Sequence, residues 1–166
     1  MRKMTEQDLL AAFAGESQAS MKYQIFAEQA GKEFPNVARL FRALSFAERV
    51  HAAGHLRALG GVKGVADNLE SAAAGESFEI NEMYPAYLAV ARLQGEKAAE
   101  RAMNWAYEAE KVHLGLYERA KAAVSAGSDF AAETIQICAV CGWTVEGDAP
   151  DKCPICGANK ERFQAF

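Results

Sequence analysis

The sequence predicts a mainly α-helical protein, in which a four-helix bundle is followed by a small domain of short β-strands. Up to about residue 125 the chain is rich in alanine and carries apolar residues at helical spacing. Two stretches of this part, residues 48–51 and 110–113, read Glu-x-x-His. All four cysteines lie near the C-terminus, as two Cys-x-x-Cys pairs. We therefore expect a bundle domain at residues 1–134 and a cysteine domain at residues 135–166.

The first two helices are predicted to form a hairpin. The first helix should begin at Thr5, because Asp8 three residues later forms a capping-box-like pair with it. Gly31 and Pro35 mark the turn that follows. The second helix should stop at the pair Gly60-Gly61, since glycine is unfavourable inside a helix.

The third helix is predicted to start at Asp67, where Glu70 completes a capping box. Pro85 should kink or break this helix, because proline has no amide hydrogen to donate and its ring clashes with the preceding turn. Gly95 should end it, and the fourth helix should run to a linker at residues 125–129. Short strand-like pieces around the cysteines follow.

An internal repeat relates the two halves of the helical part. Residues 14–17, Ala-Gly-Glu-Ser, recur as residues 74–77. A Glu-x-x-His stretch follows each copy at nearly the same distance, at positions 48–51 in the first half and 110–113 in the second. A tyrosine follows the Glu of each copy, seven positions on in the first and eight in the second. The second half of the bundle is therefore expected to repeat the helical hairpin of the first.

Four carboxylates occupy positions where a core-facing apolar residue would be expected. For any one of them alone, a solvated Glu beside a satisfied core histidine is the better interpretation. Together they favour another, because a lone buried carboxylate carries a desolvation cost of several kcal/mol and four converging charges also repel. Two divalent cations would cancel that charge, as in bundles that bind two iron or manganese ions. The four residues are Glu16, Glu48, Glu76 and Glu110.

The ligand types predict iron or manganese, with zinc as a possible substitute, because the set is rich in oxygen and has one imidazole per ion. By the symmetry of the repeat, Glu48 and Glu110 should bridge the two ions, and the first Glu of each half should be terminal. Glu79 breaks the symmetry, since the repeat places Ala19 opposite it, and it is an additional candidate ligand. The seven candidate ligands are Glu16, Glu48, His51, Glu76, Glu79, Glu110 and His113.

Two tyrosines are expected near this site. Tyr23 and Tyr84 lie on the same predicted faces as the first Glu of each half, so their hydroxyl groups could hydrogen-bond the ligand carboxylates. Simple core packing explains both positions equally well.

The cysteines predict a site with four thiolates around one metal ion. Cys138 and Cys141 form one pair, Cys153 and Cys156 form the other, and residues 142–152 separate the pairs. From the spacing alone, a structural zinc ribbon is favoured. Three other features favour a rubredoxin-like iron site, namely Trp143, the run Cys-Pro-Ile-Cys-Gly at residues 153–157 and Phe163.

Charge and hydropathy argue against several classes of partner. The net charge of −4 does not favour nucleic acid or an anionic membrane. No apolar run approaches the roughly 20 residues that a membrane span needs, and no secretory signal is recognisable at the N-terminus. Cysteines in metal-ligand spacing favour a reducing compartment, so we expect a cytoplasmic protein without a membrane or nucleic-acid partner.

These motifs together resemble those of the rubrerythrins, and the resemblance covers the whole chain. The matching residues are 14–18, 48–51, 75–76, 79, 82–85, 110–113 and the four cysteines. The resemblance implies a ferritin-like domain with a non-haem di-iron site, and a rubredoxin-like domain with one further iron. It implies that all seven candidate ligands bind the di-iron pair, and we find no departure at these positions.

The resemblance also implies a function in oxidative-stress defence, the reduction of hydrogen peroxide to water. Electrons would pass from the rubredoxin-like iron to the di-iron site. They would come from a separate reductase or rubredoxin linked to NADH, because the chain has no glycine-rich dinucleotide motif. Iron oxidation and storage is the alternative, since ferritins share the bundle, but storage does not require a Cys-x-x-Cys domain.

A short connection predicts that two chains exchange hairpins. In ferritin-like bundles the second and third helices run parallel, so the chain must return along the bundle between them. The predicted helix lengths require a return of roughly 32 Å. The seven steps from Gly60 to Asp67 span at most about 25 Å. We therefore expect a swapped homodimer, in which the first hairpin of one chain packs against the second hairpin of the other.

Overall fold

The computed structural model describes all 166 residues, Met1–Phe166, and divides into two compact units. The first unit is Met1–Lys63 and the second is Gly64–Phe166. The expected boundary between residues 134 and 135 falls inside the second unit and stays a prediction. No helix combines the length and the apolar character needed to cross a membrane.

The first unit is a hairpin of two long helices, α1 (Lys3–Ala30) and α2 (Pro35–Ala58), which pack along each other. The expected start of α1 at Thr5 is wrong by two residues. Arg2 is the N-cap and makes no side-chain cap, and its carbonyl accepts the first helical bond from Glu6. A capping-box pattern inside a helix therefore does not mark its start here. Pro35 opens α2, where its missing amide hydrogen costs nothing.

Small residues bring α1 and α2 close together. Ser20 Oγ donates to the carbonyl of Ser45 at 2.9 Å, and Ser45 Oγ donates to the carbonyl of Ser20 at 2.8 Å. The apolar residues that are buried in this unit are all alanines. Many larger apolar side chains of the hairpin are left exposed: Leu10, Met21, Ile25, Phe26, Phe34, Val37, Leu40, Leu44, Phe46 and Val50. Two helices alone cannot cover this much apolar surface.

The second unit begins with a helical pair. Its third bundle helix starts at Val65, two residues before the expected Asp67, because Gly64 is extended and its carbonyl accepts the first helical bond from Asn68. Asp67 therefore lies in the first turn, where its charge favours the helix N-terminus. The segments are α3 (Val65–Phe78), a π-helical turn (Glu79–Met83), α4 (Tyr84–Gln94) and α5 (Lys97–Ser125), and α5 packs along the other three.

The π turn explains both the extra residue of the second repeat and the tolerance of Pro85. In the turn, the Tyr84 amide bonds the carbonyl of Glu79 five residues earlier, where an α-helix would bond one residue closer. The turn thus absorbs the one residue by which the Glu-to-Tyr spacing of the second half exceeds that of the first. Pro85 then stands in the first turn of α4, so the predicted break does not occur and the chain stays helical.

A three-stranded antiparallel sheet forms the cysteine domain. Its strands are β1 (Ile135–Cys138), β2 (Thr144–Glu146) and β3 (Phe163–Ala165), in the order β2-β1-β3. Trp143 and Phe163 meet edge to face, with ring centroids 6.3 Å apart. Strand β2 contacts α5. The predicted fold class is confirmed, since four long helices, with α3, the π turn and α4 counted as one, precede a small β domain.

Candidate metal centres

The first carboxylate–histidine cluster lies between α1 and α2. Ligand atoms of Glu16, Glu48 and His51 all lie within 4.8 Å of one another. Nδ1 of His51 is 2.9 Å from Oε2 of Glu48. Hydrogen bonds with Glu16 and with His51 hold the pKa of Glu48 below its ordinary value. A carboxylate that stays ionised beside an imidazole can bind a cation without first losing a proton.

The second cluster lies between α3 and α5 and repeats the same three residue types. Ligand atoms of Glu76, Glu110 and His113 also lie within 4.8 Å of one another. Nδ1 of His113 is 2.6 Å from Oε2 of Glu110 and 3.8 Å from Oε1 of Glu76. On a helix, a histidine three residues after a glutamate lies on the same face, which explains why both Glu-x-x-His stretches form such pairs.

The second cluster is more deeply buried than the first. Without a cation, its carboxylates are therefore harder to ionise than those of the first cluster. Burial, together with the neighbouring carboxylate of Glu110, raises the pKa of Glu76 to about 7. Burial also raises the pKa of Glu110. Both shifts mean that the metal-free cluster retains a proton which a cation would displace. Two carboxylates and one imidazole are donors that suit iron or manganese, so the residues present fit half of a di-metal site in each cluster.

The other candidate residues lie near the second cluster or in the packing of the first unit. Glu79 stands at the start of the π turn, outside the three-residue cluster, although its charge helps to raise the pKa of Glu76. Burial and then the charges of Glu79, Glu110 and Glu76 raise the pKa of Tyr84, and its ring centroid lies 6.3 Å from that of Tyr107. Tyr23 instead packs against Phe26 and Phe41.

The raised pKa of Glu76 predicts a pH-dependent stability of the metal-free protein. Folded Glu76 keeps its proton up to about pH 7, whereas the unfolded residue loses it near 4.5. The folded state therefore binds more protons in this window, and its stability falls as pH rises through 7. In chelator-treated protein, Glu76→Gln should reduce the fall in unfolding free energy between pH 5 and 8 by roughly 1 kcal/mol. Urea denaturation at several pH values measures this.

Glu48→Gln is the matched control for this prediction. The pKa of Glu48 is lowered, so its contribution is present above its ordinary pKa and is lost only as pH falls below that value. The slope between pH 5 and 8 should therefore stay unchanged in Glu48→Gln. An equal flattening in both variants would contradict the assignment to Glu76.

The four cysteines converge at the end of the sheet, with all four Sγ atoms within 4.8 Å of one another. Sγ of Cys138 lies 3.6 Å from that of Cys156, and Sγ of Cys141 lies 3.5 Å from that of Cys153. These distances are too long for a disulfide, whose sulfur atoms are about 2.05 Å apart. They approach the edge of roughly 3.8 Å in a tetrahedron with metal–sulfur bonds of about 2.3 Å. The thiols therefore fit a single tetrathiolate ion.

Hydrogen bonds and burial shift the pKa values of these thiols in opposite directions. Burial alone would raise the pKa of Cys138, but the backbone amides of Val140 and Cys141 lower it. For Cys141 burial dominates and raises the pKa of the thiol. A thiolate at Cys141 thus needs a metal ion for its stability.

Two contacts between α5 and β2 have no counterpart in the sequence-based prediction. Nε2 of His113 lies 2.7 Å from Oγ1 of Thr144, and Arg119 forms a two-pronged ion pair with Glu146 at 2.5 and 2.6 Å. They attach the cysteine domain to α5, the helix that carries two of the three residues of the second cluster. No motif marks them, because they depend on how a sheet packs against a helix that is distant in sequence.

Comparison with known proteins gives the family. The rubrerythrin family model matches residues 8–121, and the model of the rubrerythrin rubredoxin-like domain matches residues 136–164. The chain belongs to the rubrerythrin family. Rubrerythrins are oxidoreductases, and the four cysteines with the two carboxylate–histidine clusters support iron binding.

Several relatives share almost the full length of this rubrerythrin. It is similar to rubrerythrin-2 of Clostridium acetobutylicum, with 41% identity over 98% of this chain and 97% of the relative. It is similar to the rubrerythrin of Nitratidesulfovibrio vulgaris, with 33% identity over 96% and 93%. Among solved structures, the fully reduced, all-ferrous state of nigerythrin matches with a TM-score of 0.56 and 32% identity over 98% of this chain and 86% of the other.

Proposed function

We propose that this rubrerythrin is a peroxidase that reduces hydrogen peroxide to water in defence against oxidative stress. The observation that carries the proposal is that the four-cysteine sheet lies on α5, the helix that holds Glu110 and His113. A one-electron carrier site and a carboxylate–histidine site are thus in contact within one chain. An iron-storage protein does not require contact between a one-electron carrier site and a carboxylate–histidine site.

Each cluster would hold metal. A di-iron pair would be held by seven residues, of which Glu48 and Glu110 would be the bridging carboxylates. One mononuclear iron would be held by the four cysteines. Bound at these sites, the iron pair would supply the two electrons that reduce one peroxide, and the tetrathiolate iron would replace them one at a time. The di-iron ligands are Glu16, Glu48, His51, Glu76, Glu79, Glu110 and His113.

The chain's own residues prepare these sites in three ways. Nδ1 of His51 and Nδ1 of His113 lie against the carboxylates of Glu48 and Glu110, so each imidazole nitrogen stands where it and the carboxylate could bind the same cation. The proton retained by Glu76 is released on metal binding, because ligand carboxylates must be ionised. The hydroxyl group of Tyr84, on which the carboxylates of Glu79, Glu110 and Glu76 act electrostatically, would hold one ligand oxygen in position.

The electron supply is external to this chain. We propose a separate reductase or rubredoxin that draws on NADH and reduces the tetrathiolate iron. A reduced cytoplasm is the compartment that suits both this donor and unpaired thiolates.

Anaerobic reduction followed by peroxide tests the proposed function. The iron-loaded, fully reduced protein should consume hydrogen peroxide in proportion to its iron content, and the red colour of the ferric tetrathiolate should appear in step. Continued consumption should then depend on added reductase and NADH. A protein that binds iron but leaves peroxide intact would refute the peroxidase function, and accumulation of many irons per chain would favour storage.

The connection between α2 and α3 supports a swapped homodimer, which we propose as the functional state. Between Ala58 and Val65 the chain has seven steps, which span at most about 25 Å. Closing both clusters into one site of a single chain requires more. From Glu48 to the end of α2 is about 15 Å, and from the start of α3 to Glu76 is about 16 Å. In ferritin-like bundles these two helices run parallel, so a return within one chain would have to cover the sum of both lengths. Because α3 already begins at Val65, the residues after it are helical and cannot lengthen the connection as extended chain.

Two further observations support a second copy of the chain as the partner of the first hairpin. Each unit supplies only three close carboxylate or imidazole donors, whereas a di-metal site in a bundle needs at least six. The first hairpin also exposes large apolar side chains, among them Phe34, Leu40 and Phe46. An identical chain offers the missing carboxylate–histidine cluster and, by the repeat, a matching apolar face.

A further inference from the structure

One buried hydroxyl group joins the two metal-binding regions of the second unit. We propose that Thr144 is a positioning residue that connects the four-cysteine site to His113, so that the hydrogen bonds of a single chain form the electron route into the carboxylate–histidine cluster. This inference rests on the proposed peroxidase function and names the path on which that function depends.

The hydrogen bonds of Thr144 connect the backbone beside Cys141 to the imidazole of His113. Oγ1 of Thr144 lies 3.2 Å from the carbonyl of Gly142, to which it donates, and 2.7 Å from Nε2 of His113. Nδ1 of the same imidazole lies 2.6 Å from Oε2 of Glu110, and when Nδ1 binds a metal the imidazole carries its hydrogen on Nε2. Oγ1 of Thr144 is placed to accept that hydrogen and so to hold the imidazole in the orientation of a ligand. Since Gly142 follows Cys141 directly, the route from thiolate to imidazole contains only two hydrogen bonds.

Burial makes this contact strong and specific. Thr144 is 2% exposed and is the one buried polar residue of the chain. Together with His113 it lines a cleft of about 380 Å³ whose other walls are almost entirely apolar, including Leu116, Ile135 and Ile137. A hydrogen bond in such low-dielectric surroundings is stronger than in water, and its loss leaves the imidazole N–H without a partner.

A second contact keeps the sheet in register with α5. The guanidinium of Arg119, six residues after His113, pairs with both carboxylate oxygens of Glu146, two residues after Thr144. Arg119 also lies over the ring of Phe130, 5.2 Å from its centroid. A two-pronged arginine–carboxylate pair fixes orientation as well as distance. It thereby holds β2 where the hydroxyl of Thr144 reaches the imidazole.

The two histidines of the clusters are not equivalent. The side chain of His51 is 55% exposed and its Nε2 has no partner comparable to Thr144. This difference favours His113 as the residue through which electrons enter. Each electron that follows the route leaves one ferrous tetrathiolate iron ferric, and two electrons with two protons convert one hydrogen peroxide into two waters.

Thr144→Val tests the positioning role without reference to activity, because it removes the hydroxyl group and keeps the shape of the side chain. In full-length protein loaded with zinc as a diamagnetic probe, the Nε2 proton of His113 should give a protected NMR signal. In Thr144→Val this signal should move upfield and exchange with water about 10-fold faster. Thr144→Ser should restore it, and an unchanged signal in Thr144→Val would overturn the proposal.

Stopped-flow absorption tests the electron route in the iron-loaded, reduced protein. After peroxide is added, the ferric tetrathiolate band should appear about 10- to 100-fold more slowly in Thr144→Val, with the iron content and the tetrathiolate reduction potential unchanged. Thr144→Ser should regain the natural rate. Thr134→Val is the matched control, since Thr134 is exposed and only its carbonyl is used, by the amide of Gly147.

The possible failures can be told apart. A natural rate in Thr144→Val would refute the route while leaving the peroxidase function intact. A slower rate that only follows a loss of bound iron would refute it too, because the role of Thr144 would then be structural. If peroxide never oxidises the tetrathiolate of the natural protein, the proposed peroxidase function fails and the electron route fails with it.

Discussion

Zinc in place of iron at the four-cysteine site is expected to lower sustained peroxide turnover to the background rate. Zinc takes the same tetrahedral thiolate geometry but has no accessible second oxidation state. The substituted domain should therefore keep its fold and its contact with α5, through Thr144 and Glu146, and lose only electron transfer. The carboxylate–histidine clusters, loaded with ferrous iron, should still react once with peroxide.

Single-turnover and steady-state measurements on the same sample separate these two effects. Stopped-flow mixing with one equivalent of peroxide should show a first oxidation at the rate of the natural protein. The steady-state assay with NADH and reductase should show no peroxide turnover beyond background. Cys156→Ser, which removes one thiolate, should give the same pattern. Sustained turnover by the zinc form would contradict the relay role of the cysteine site, since electrons would then reach the cluster by another way.

The parts of the fold that are predictable from the sequence are those that depend on local spacing. Glu-x-x-His on one face of a helix follows from the helical repeat, so the pairs Glu48–His51 and Glu110–His113 can be expected from their spacing alone. The four-thiolate geometry follows from the Cys-x-x-Cys spacing in the same way. The predicted starts of α1 and α3 are each two residues too late, because capping side chains are only one way to satisfy free amides and water is another.

Other features depend on tertiary packing and leave weaker traces in the sequence. The π turn has a visible signal, the extra residue between Glu76 and Tyr84, but a spacing by itself does not say where a helix widens. The hydrogen bond between His113 and Thr144 has no sequence signal, because a threonine in a short strand can form many different contacts. The packing of the sheet against α5 determines which contact Thr144 forms, and this packing depends on the whole second unit.

Two inactive variants are expected to restore activity when they are combined in one dimer. Glu48→Ala and Glu110→Ala should each abolish activity as homodimers, because each removes a proposed bridging carboxylate from every site. In a swapped dimer that pairs the two variants, one site combines both damaged hairpins. The other site combines the intact first hairpin of one chain with the intact second hairpin of the other. The heterodimer should therefore regain about half of the natural activity.

Differently tagged chains, co-expressed and purified by both tags in succession, give this heterodimer, and iron analysis with the peroxide assay measures its sites. The reciprocal control places both substitutions in one chain and pairs it with the natural chain. In a swapped dimer each site of this control then contains one damaged hairpin, so activity should be absent. Without a swap, the two pairings exchange their results, since the control would keep one intact site and the first heterodimer none. Opposite outcomes from the same two substitutions cannot arise from a general loss of stability, which would affect both pairings alike.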